Sequence, residues 1–230
     1  MKAMILAAGL GQRMRPLTDH LPKPLLPVAG KPLLQYHLEN LQQAGVREVI
    51  INLAWLGEKI RQFAGDGSRW GVEIIYSPEP EPLETGGALL HAMPLLGEAP
   101  VLLINGDVFC NPDFSSLARR GLAPEADGHL VMVPNPDFHP AGDFYLPRRE
   151  GLIAVAGEAV DRYTFAGISI LRPSLIATYP ERRPRFPLVE VFRRAIVEQK
   201  LTAGVYDGLW SDVGTPGRLA ALDRELSAPA

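Results

Sequence analysis

The sequence predicts an α/β fold, a mostly parallel sheet with helices on both faces and an inserted β-rich portion. Three observations carry this. Apolar runs of strand length alternate with runs of helical period along most of the chain, the pattern of right-handed β-α-β units. The first run, residues 2–8, is continuously apolar after Lys2 and is closed by Gly9, as expected for a strand covered on both faces. The 230 residues, 47% hydrophobic and 21% charged with a mean hydropathy of +0.03, are sufficient for one large globular domain. A chain of this size buries about 70% of its unfolded surface, so no disulfide or metal staple is needed.

After the first strand, Pro32 stands where a helix can begin without losing a hydrogen bond. Leu34, Leu38 and Leu41 then recur on one helical face, and Gly45 closes the segment. Residues 46–53, 72–76 and 101–105 are rich in branched apolar side chains and predict strands, whereas 56–64, 87–96 and 114–120 predict helices between or after them. A strand at 129–134 is followed by a change of texture. Pro134, Pro136, Pro140, Gly142, Pro147, Gly151 and Gly157 interrupt short strand-like pieces, predicting a subdomain of β-hairpins over the sheet's ligand edge. The regular pattern returns with a strand at 163–171, a helix at 188–199, a strand at 202–206 and a closing helix at 216–226. No linker or internal repeat interrupts it, so residues 1–230 are expected to form a single domain. In such a sheet, ligands belong at the carboxyl ends of the strands.

Composition restricts the function classes. Lys plus Arg total 23 against 26 Asp plus Glu, a net charge of −3 with a pI near 6.0, which leaves no net basic field to hold a long nucleic acid. Phosphate chemistry must therefore be local. A single cysteine, Cys110, excludes an intrachain disulfide and a cysteine-zinc cluster and suits a reducing compartment, so a cytoplasmic protein is expected. The initial apolar run is shorter than a signal-peptide core, and no stretch approaches membrane-spanning length, so neither export nor a membrane partner is expected. Nothing in the sequence calls for an obligate protein partner.

The segment from Leu6 to Thr18 leaves the first strand with glycines at 9 and 11 and arginines at 13 and 15. Glycines allow successive backbone N–H groups to turn toward an anion, and arginines add charge-assisted donors, a combination that suits a phosphate chain. It is neither a Walker loop nor a G-x-G-x-x-G turn, because Met14 occupies the sixth position. Lys23, between Pro22 and Pro24, sits on a stiff backbone suited to stabilising charge that develops on a phosphoryl group. Asp107 follows the strand at 101–105, and Asp212 follows a further apolar segment. Two carboxylates at strand ends can share a hard cation such as Mg2+, although each alone also reads as a turn or N-cap residue. Glu84-Thr-Gly-Gly87 precedes a helix, where bare backbone either approaches a flat base or simply caps the helix. The five histidines, at 20, 37, 91, 129 and 139, have no metal-ligand spacing, and His37 and His91 fall within predicted helices.

Taken together, L-A-A-G-x-G-x-R-x-R-P-x-T, P-K-P-L-L-P-V, E-T-G-G-A, N-G-D and W-x-D-V-G-T-P occur in one order across almost the whole chain, and this combination resembles the sugar-1-phosphate nucleotidyltransferases. The resemblance implies a nucleotidyltransferase fold, Rossmann-like, with residues 1–134 mainly nucleotide-binding, 135–215 mainly sugar-phosphate-binding and 216–230 a C-terminal helix. It implies Lys23 and Arg13 as catalytic residues, with Ala8, Gly9, Gly11, Arg13, Lys23, Gly86 and Gly87 on the nucleotide. It also implies Asn105, Gly142, Glu158 and Gly167 on the sugar, and Asp107 and Asp212 on Mg2+. Glu158 is followed by Ala159 and Val160 rather than by the Lys-Pro common in the family.

The implied partners are a nucleoside triphosphate and a sugar 1-phosphate. Within the family, the short chain, Leu83-Glu-Thr-Gly-Gly87 and Thr164-Phe-Ala-Gly167 point toward UTP and N-acetylmuramate α-1-phosphate, and so toward peptidoglycan recycling. The chain lacks the length of relatives that carry a C-terminal β-helix acyltransferase, so a single activity is expected. Guanylyl transfer to mannose 1-phosphate and thymidylyl transfer to glucose 1-phosphate remain alternatives, as do a glycosyltransferase and an inactive nucleotide-binding module. Against a glycosyltransferase stands the single carboxylate of Asn105-Gly-Asp107, where an Asp-x-Asp pair is expected. Arg185, Arg193 and Arg194 are candidate readers of the muramyl carboxylate.

Overall fold

A computed structural model describes residues 1–147, 151–152 and 160–228. Strand β1 (Lys2–Leu6) runs through the middle of the main sheet, and its run of apolar residues has the reason expected: Ala3 and Ile5 belong to one helix-covered core and Met4 to the other. A short hairpin, β2 (Pro27–Val28) with β3 (Lys31–Pro32), leads into helix α1 (Leu33–Gln43). Leu34, Leu38 and Leu41 of α1 are fully buried, as their spacing requires. Then come β4 (Glu48–Leu53), α2 (Gly57–Ala64), β5 (Glu73–Pro78), α3 (Glu84–Leu96), β6 (Val101–Asn105), β7 (Val108–Cys110), α4 (Phe114–Arg120) and β8 (Gly128–Val133). The second half contributes β9 (Phe144–Pro147), β10 (Gly151–Leu152), β11 (Val160–Leu171), α5 (Pro173–Ala177), α6 (Leu188–Val197), β12 (Leu201–Val205), β13 (Trp210–Asp212) and α7 (Pro216–Ser227).

The main sheet has the order β10-β12-β8-β11-β6-β1-β4-β5, with β9 paired to β11. The pairs β5–β4, β4–β1, β1–β6 and β12–β8 are parallel, and β11 runs antiparallel between β6 and β8. Helices α1, α2 and α4 cover one face and α3, α5 and α6 the other, each completing its own apolar core. Helix α7 closes a third, smaller cluster with Met14, Leu33, Phe109 and Val213.

Two departures from the sequence reading matter for the site. Helix α3 starts at Glu84, before the two glycines that look like a break, because their amides are tied to another part of the chain (below). The region after residue 134 is only in part the set of local hairpins expected. Strand β9 pairs antiparallel with the first residues of β11 as a local ribbon, but β10 pairs with β12, which stitches this portion to the main sheet. The three-residue strands β7 and β13, too short to show periodicity, pair with each other and register Asp212 with Val108.

Candidate active site

The chain winds from β1 through β4 and β5 on one side, then crosses to β6 on the other side of β1. This makes a switch point at the carboxyl ends of β1 and β6, where loops diverge and a crevice opens. Two clefts meet there and share Asn105 and Asp107 as lining residues.

The first cleft, about 210 Å³, is lined mainly by the end of β1, Lys23 and the loop before α3, including Ala8, Gly9, Leu83 and Thr85. A buried polar chain that the sequence does not reveal lies in its wall. The Ala7 N–H donates to Asn52 Oδ1 at 2.7 Å, Asn52 Nδ2 donates to Glu79 Oε1 at 2.6 Å, and the Leu83 N–H donates to Glu79 Oε2 at 3.0 Å. Asn52 and Glu79 are 3% and 8% exposed, so these bonds exchange little with water and lock three loops of the cleft together. The only sequence signal is a polar residue close to the end of each of two apolar strands.

Lys23 is 8% exposed and its Nζ meets Asp107 Oδ2 at 2.5 Å. The lysine between two prolines thus begins a short 3-10 turn with its ammonium aimed at the shared floor of both clefts. Burial of a charge in this way is tolerated only because its partner is charged and close.

The second cleft is wider, about 670 Å³, and more polar. Arg13, Thr164, Gly167, Asp212 and Arg218 line it, with Phe138 and Trp210 stacked at 6.5 Å between ring centroids. Gly167 lies where the β11–β8 register shifts, at φ +78°. A Cβ there would come within 2.9 Å of Asn105 Nδ2, so the glycine keeps Asn105 against the strand. The β7–β13 ladder brings Asp212 to the same cleft as Asp107, and the Val213 N–H donates to Asp107 O at 2.9 Å. Asp212 Oδ1 stands 2.8 Å from Arg218 Nη1 as an ion pair, but the geometry is not that of a hydrogen bond. Among the described residues no group of three or more His, Cys, Asp or Glu side chains is placed to hold a metal. A cation here would take two protein carboxylates and fill its shell from phosphate oxygens and water, the habit of Mg2+ rather than of zinc.

The structure thus places Lys23, Ala8, Gly9 and Asn105 on the first cleft and Arg13, Asn105, Gly167, Asp107 and Asp212 on the second. Four residues that the resemblance assigned to ligands line neither. Gly86 and Gly87 point their amides at Phe186 O, at 2.9 and 3.1 Å, and a Cβ on either would collide with the 184–186 segment. Their bareness serves packing, and Leu83, Glu84 and Thr85 form that wall of the first cleft instead. Gly142 is a buried turn residue whose carbonyl accepts from Arg162 Nη2, and a Cβ would meet Asn135 Oδ1 at 2.6 Å. Gly11, at φ +62°, starts the Gln12–Met14 turn, and its carbonyl accepts from Thr18 Oγ1 at 2.7 Å, so it shapes the phosphate loop without lining a cleft. Glu158 lies outside the described residues. Arg185 pairs with Glu84 and Arg194 with Glu198, and neither they nor Arg193 line the second cleft.

Burial also sets the titration of nearby groups. Complete burial pushes His37 down to about 4, opposed by the charge of Asp107, and neither ring nitrogen meets hydrogen-bond geometry among the described residues. Burial raises the Cys110 thiol to about 12, which leaves it inert as a nucleophile. No described helix is long and apolar enough to cross a membrane.

The family model of nucleotidyl transferases matches residues 2–144. The chain is 47% identical over 223 residues to the N-acetylmuramate alpha-1-phosphate uridylyltransferase of Neisseria meningitidis, covering 95% of each chain. It is 33% identical to the mannose-1-phosphate guanylyltransferase catalytic subunit beta of Drosophila melanogaster, covering 94% of this chain and 60% of the fly protein. Among solved structures, a candidate glucose-1-phosphate thymidylyltransferase of Bacillus anthracis, in complex with a sucrose, superposes with a TM-score of 0.84. It is 20% identical over 100% of this chain and 96% of its own, a likeness of fold. Two clefts joined at Asn105 and Asp107, with a second strand-end carboxylate in one and a buried lysine in the other, are what a triphosphate and a phosphosugar need to meet, and the matched sequence agrees: the chain belongs to the nucleotidyl transferase family, as a sugar-1-phosphate nucleotidyltransferase.

Proposed function

We propose that this chain transfers a uridylyl group from UTP to N-acetylmuramate α-1-phosphate, releasing pyrophosphate, with Mg2+ as cofactor and in the cytoplasm, as a step of peptidoglycan recycling. The observation that carries the nucleotide and the sugar is the 47% identity along 95% of both chains to a protein with that name. The chemistry rests on the two clefts sharing Asn105 and Asp107.

In this reading the base and ribose take the first cleft, walled by the Asn52-Glu79 chain, and the sugar takes the second. An ionised phosphate oxygen of the acceptor attacks the α-phosphorus of UTP in line, and the bond to the bridging oxygen breaks with both electrons leaving on pyrophosphate. The attacking oxygen carries no proton near neutral pH, so no general base is required. What remains is positioning and charge stabilisation. Lys23 supplies a fixed ammonium at the junction of the clefts, and Arg13 supplies a guanidinium on the acceptor side. The donor set fits a hard divalent cation: the carboxylates of Asp107 and Asp212 line one cleft, and Asp212 Oδ1 is buried with no hydrogen bond among the described residues, only its ion pair to Arg218. Asp107 and Asp212 would hold Mg2+, which when bound neutralises charge on phosphate oxygens.

A pyrophosphate-release screen of UTP, dTTP, GTP and CTP against the 1-phosphates of N-acetylmuramate, N-acetylglucosamine, mannose and glucose tests the reading. The highest kcat/KM should fall on UTP with the muramyl phosphate, and EDTA should abolish turnover until Mg2+ is restored. A preference for GTP with mannose 1-phosphate would replace it by the activity named for the fly relative.

A further inference from the structure

The second cleft contains three cationic or potentially cationic side chains, and two of them have evident employment. His139 Nε2 lies 3.0 Å from Asp143 Oδ1, while Asp143 Oδ2 accepts from the Phe165 N–H at 2.8 Å. Arg13, from the loop that leaves β1, is assigned above to charge stabilisation at the phosphate undergoing transfer. Arg218 is different. It stands in the first turn of α7, which the sequence reading treats only as a closing helix, yet its side chain lines the cleft while being 19% exposed.

This guanidinium is packed between aromatic rings and the Asp212 carboxylate. Its Cζ lies 4.0 Å from the centroid of the Phe138 ring, and Trp210 stacks on that ring. Behind it, a Cβ on Gly214 would fall 2.0 Å from Arg218 Nη2, so residue 214 leaves the space that the group occupies. The side chain donates no hydrogen bond among the described residues: Nε is buried without a partner, and the contact with Asp212 Oδ1, at 2.8 Å, is an ion pair outside hydrogen-bond geometry. A planar fork of five donors, held by ring stacking and by one ion pair to Asp212 and otherwise unpaired among the described residues, matches a carboxylate that can accept two parallel bonds. Unsatisfied donors in such a place are costly unless a ligand meets them.

We propose that Arg218 is the specificity-determining residue of the acceptor site and reads the carboxylate that distinguishes a lactyl-bearing amino sugar phosphate from its neutral analogue. The phosphate common to all acceptors belongs at the junction of the clefts, with Asn105, Asp107 and Lys23. Arg218 lies on the wall shared with Phe138 and Trp210, away from the first cleft. The inference rests on the acceptor proposed above, and it replaces Arg185, Arg193 and Arg194, which the fold sets elsewhere.

The test is kcat/KM with UTP for N-acetylmuramate 1-phosphate and N-acetylglucosamine 1-phosphate in the wild type, Arg218→Gln and Arg218→Lys, with thermal unfolding to check that each variant folds. Wild-type preference for the muramyl substrate tests the proposed function itself. The ratio between substrates tests Arg218. Arg218→Gln should lower that ratio by about 10- to 100-fold, the worth of a charged hydrogen bond, and Arg218→Lys should restore part of it. Any disturbance of Asp212 or of metal binding acts on both substrates and cancels in the ratio. A second arm uses the muramyl substrate with its carboxylate converted to the carboxamide, which the wild type should reject and Arg218→Gln should not distinguish from the acid. Equal losses on both sugars would overturn the proposal and make Arg218 a phosphate or structural residue. An unchanged ratio, or a wild type that ignores the muramyl carboxylate, would overturn it as well.

Discussion

Replacing Gly86 by alanine separates packing from ligand binding, because the sequence resemblance and the structure assign that residue different work. The new Cβ would lie 2.4 Å from Phe186 Cε2, 2.6 Å from Cδ2 and 2.9 Å from Phe186 O, where ordinary contacts begin near 3.4 Å. Relief by ring movement is closed off. Phe186 is fully buried and stacked on Tyr179 at 5.7 Å, and its carbonyl is pinned by the Gly86 and Gly87 amides. Overpacking of a rigid core costs about 1–3 kcal/mol, and strained amide bonds add to it. For a chain of this length, about 2–3 kcal/mol lowers Tm by roughly 5–10 °C. The matched control is Gly9→Ala: nothing lies within 4 Å of a Cβ at Gly9, and the residue lines the first cleft. Its Tm should move by no more than about 0.5 kcal/mol allows, whereas its kcat/KM for UTP should fall by on the order of tenfold or more because the backbone no longer approaches the ligand. Differential scanning calorimetry and the pyrophosphate assay read both variants. A Gly86→Ala enzyme with an unchanged Tm and a raised KM for UTP would refute the packing argument and return Gly86 to the base site.

Two further outcomes follow from buried charge. Lys23→Ala should lower kcat by on the order of 10² to 10³ with a smaller change in KM for the triphosphate, the loss typical of one preorganised donor; a change confined to KM would make Lys23 a ground-state clamp and Arg13 the better catalytic candidate. Burial depresses His37 and His129 in the folded chain to about 4 from the usual 6.5, so the unfolded chain binds more protons between those values. Stability is therefore full above about pH 6.5 and is lost as pH falls toward 4, at up to about 1.4 kcal/mol per pH unit for each histidine. Urea midpoints measured from pH 7 to pH 5, where most carboxylates are still ionised, should fall in the wild type and fall less steeply in His129→Asn. A flat wild-type profile would show that neither ring is held neutral.

The parts of this protein that sequence alone determined are those governed by neighbours in the chain. The unbroken apolar run of β1, the Leu34-Leu38-Leu41 stripe of α1 and the stiff Pro22-Lys23-Pro24 turn follow from side-chain periodicity and backbone restriction, and each is present as read. Asp107 at the end of β6 was legible for the same reason, since a polar residue closing a buried strand must lie at a strand end. Tertiary structure alone decided which distant residues share that end. Asp212 reaches the cleft through a ladder of two three-residue strands, each too short to announce itself. Gly86 and Gly87 look like a ligand-facing motif until the loop at Phe186 closes on them, and Arg218 looks like surface charge on a last helix until Phe138 and Trp210 stack beside it. Gly86 and Gly87 take their role from Phe186, Asn52 from Glu79 27 residues away, and Arg218 from the ring of Phe138 on a loop and that of Trp210 on β13. Local sequence sets φ, ψ and amphipathic faces, but a contact across such a span depends on which strands pair and in what register, and that is settled only when the whole sheet buries its apolar surface at once.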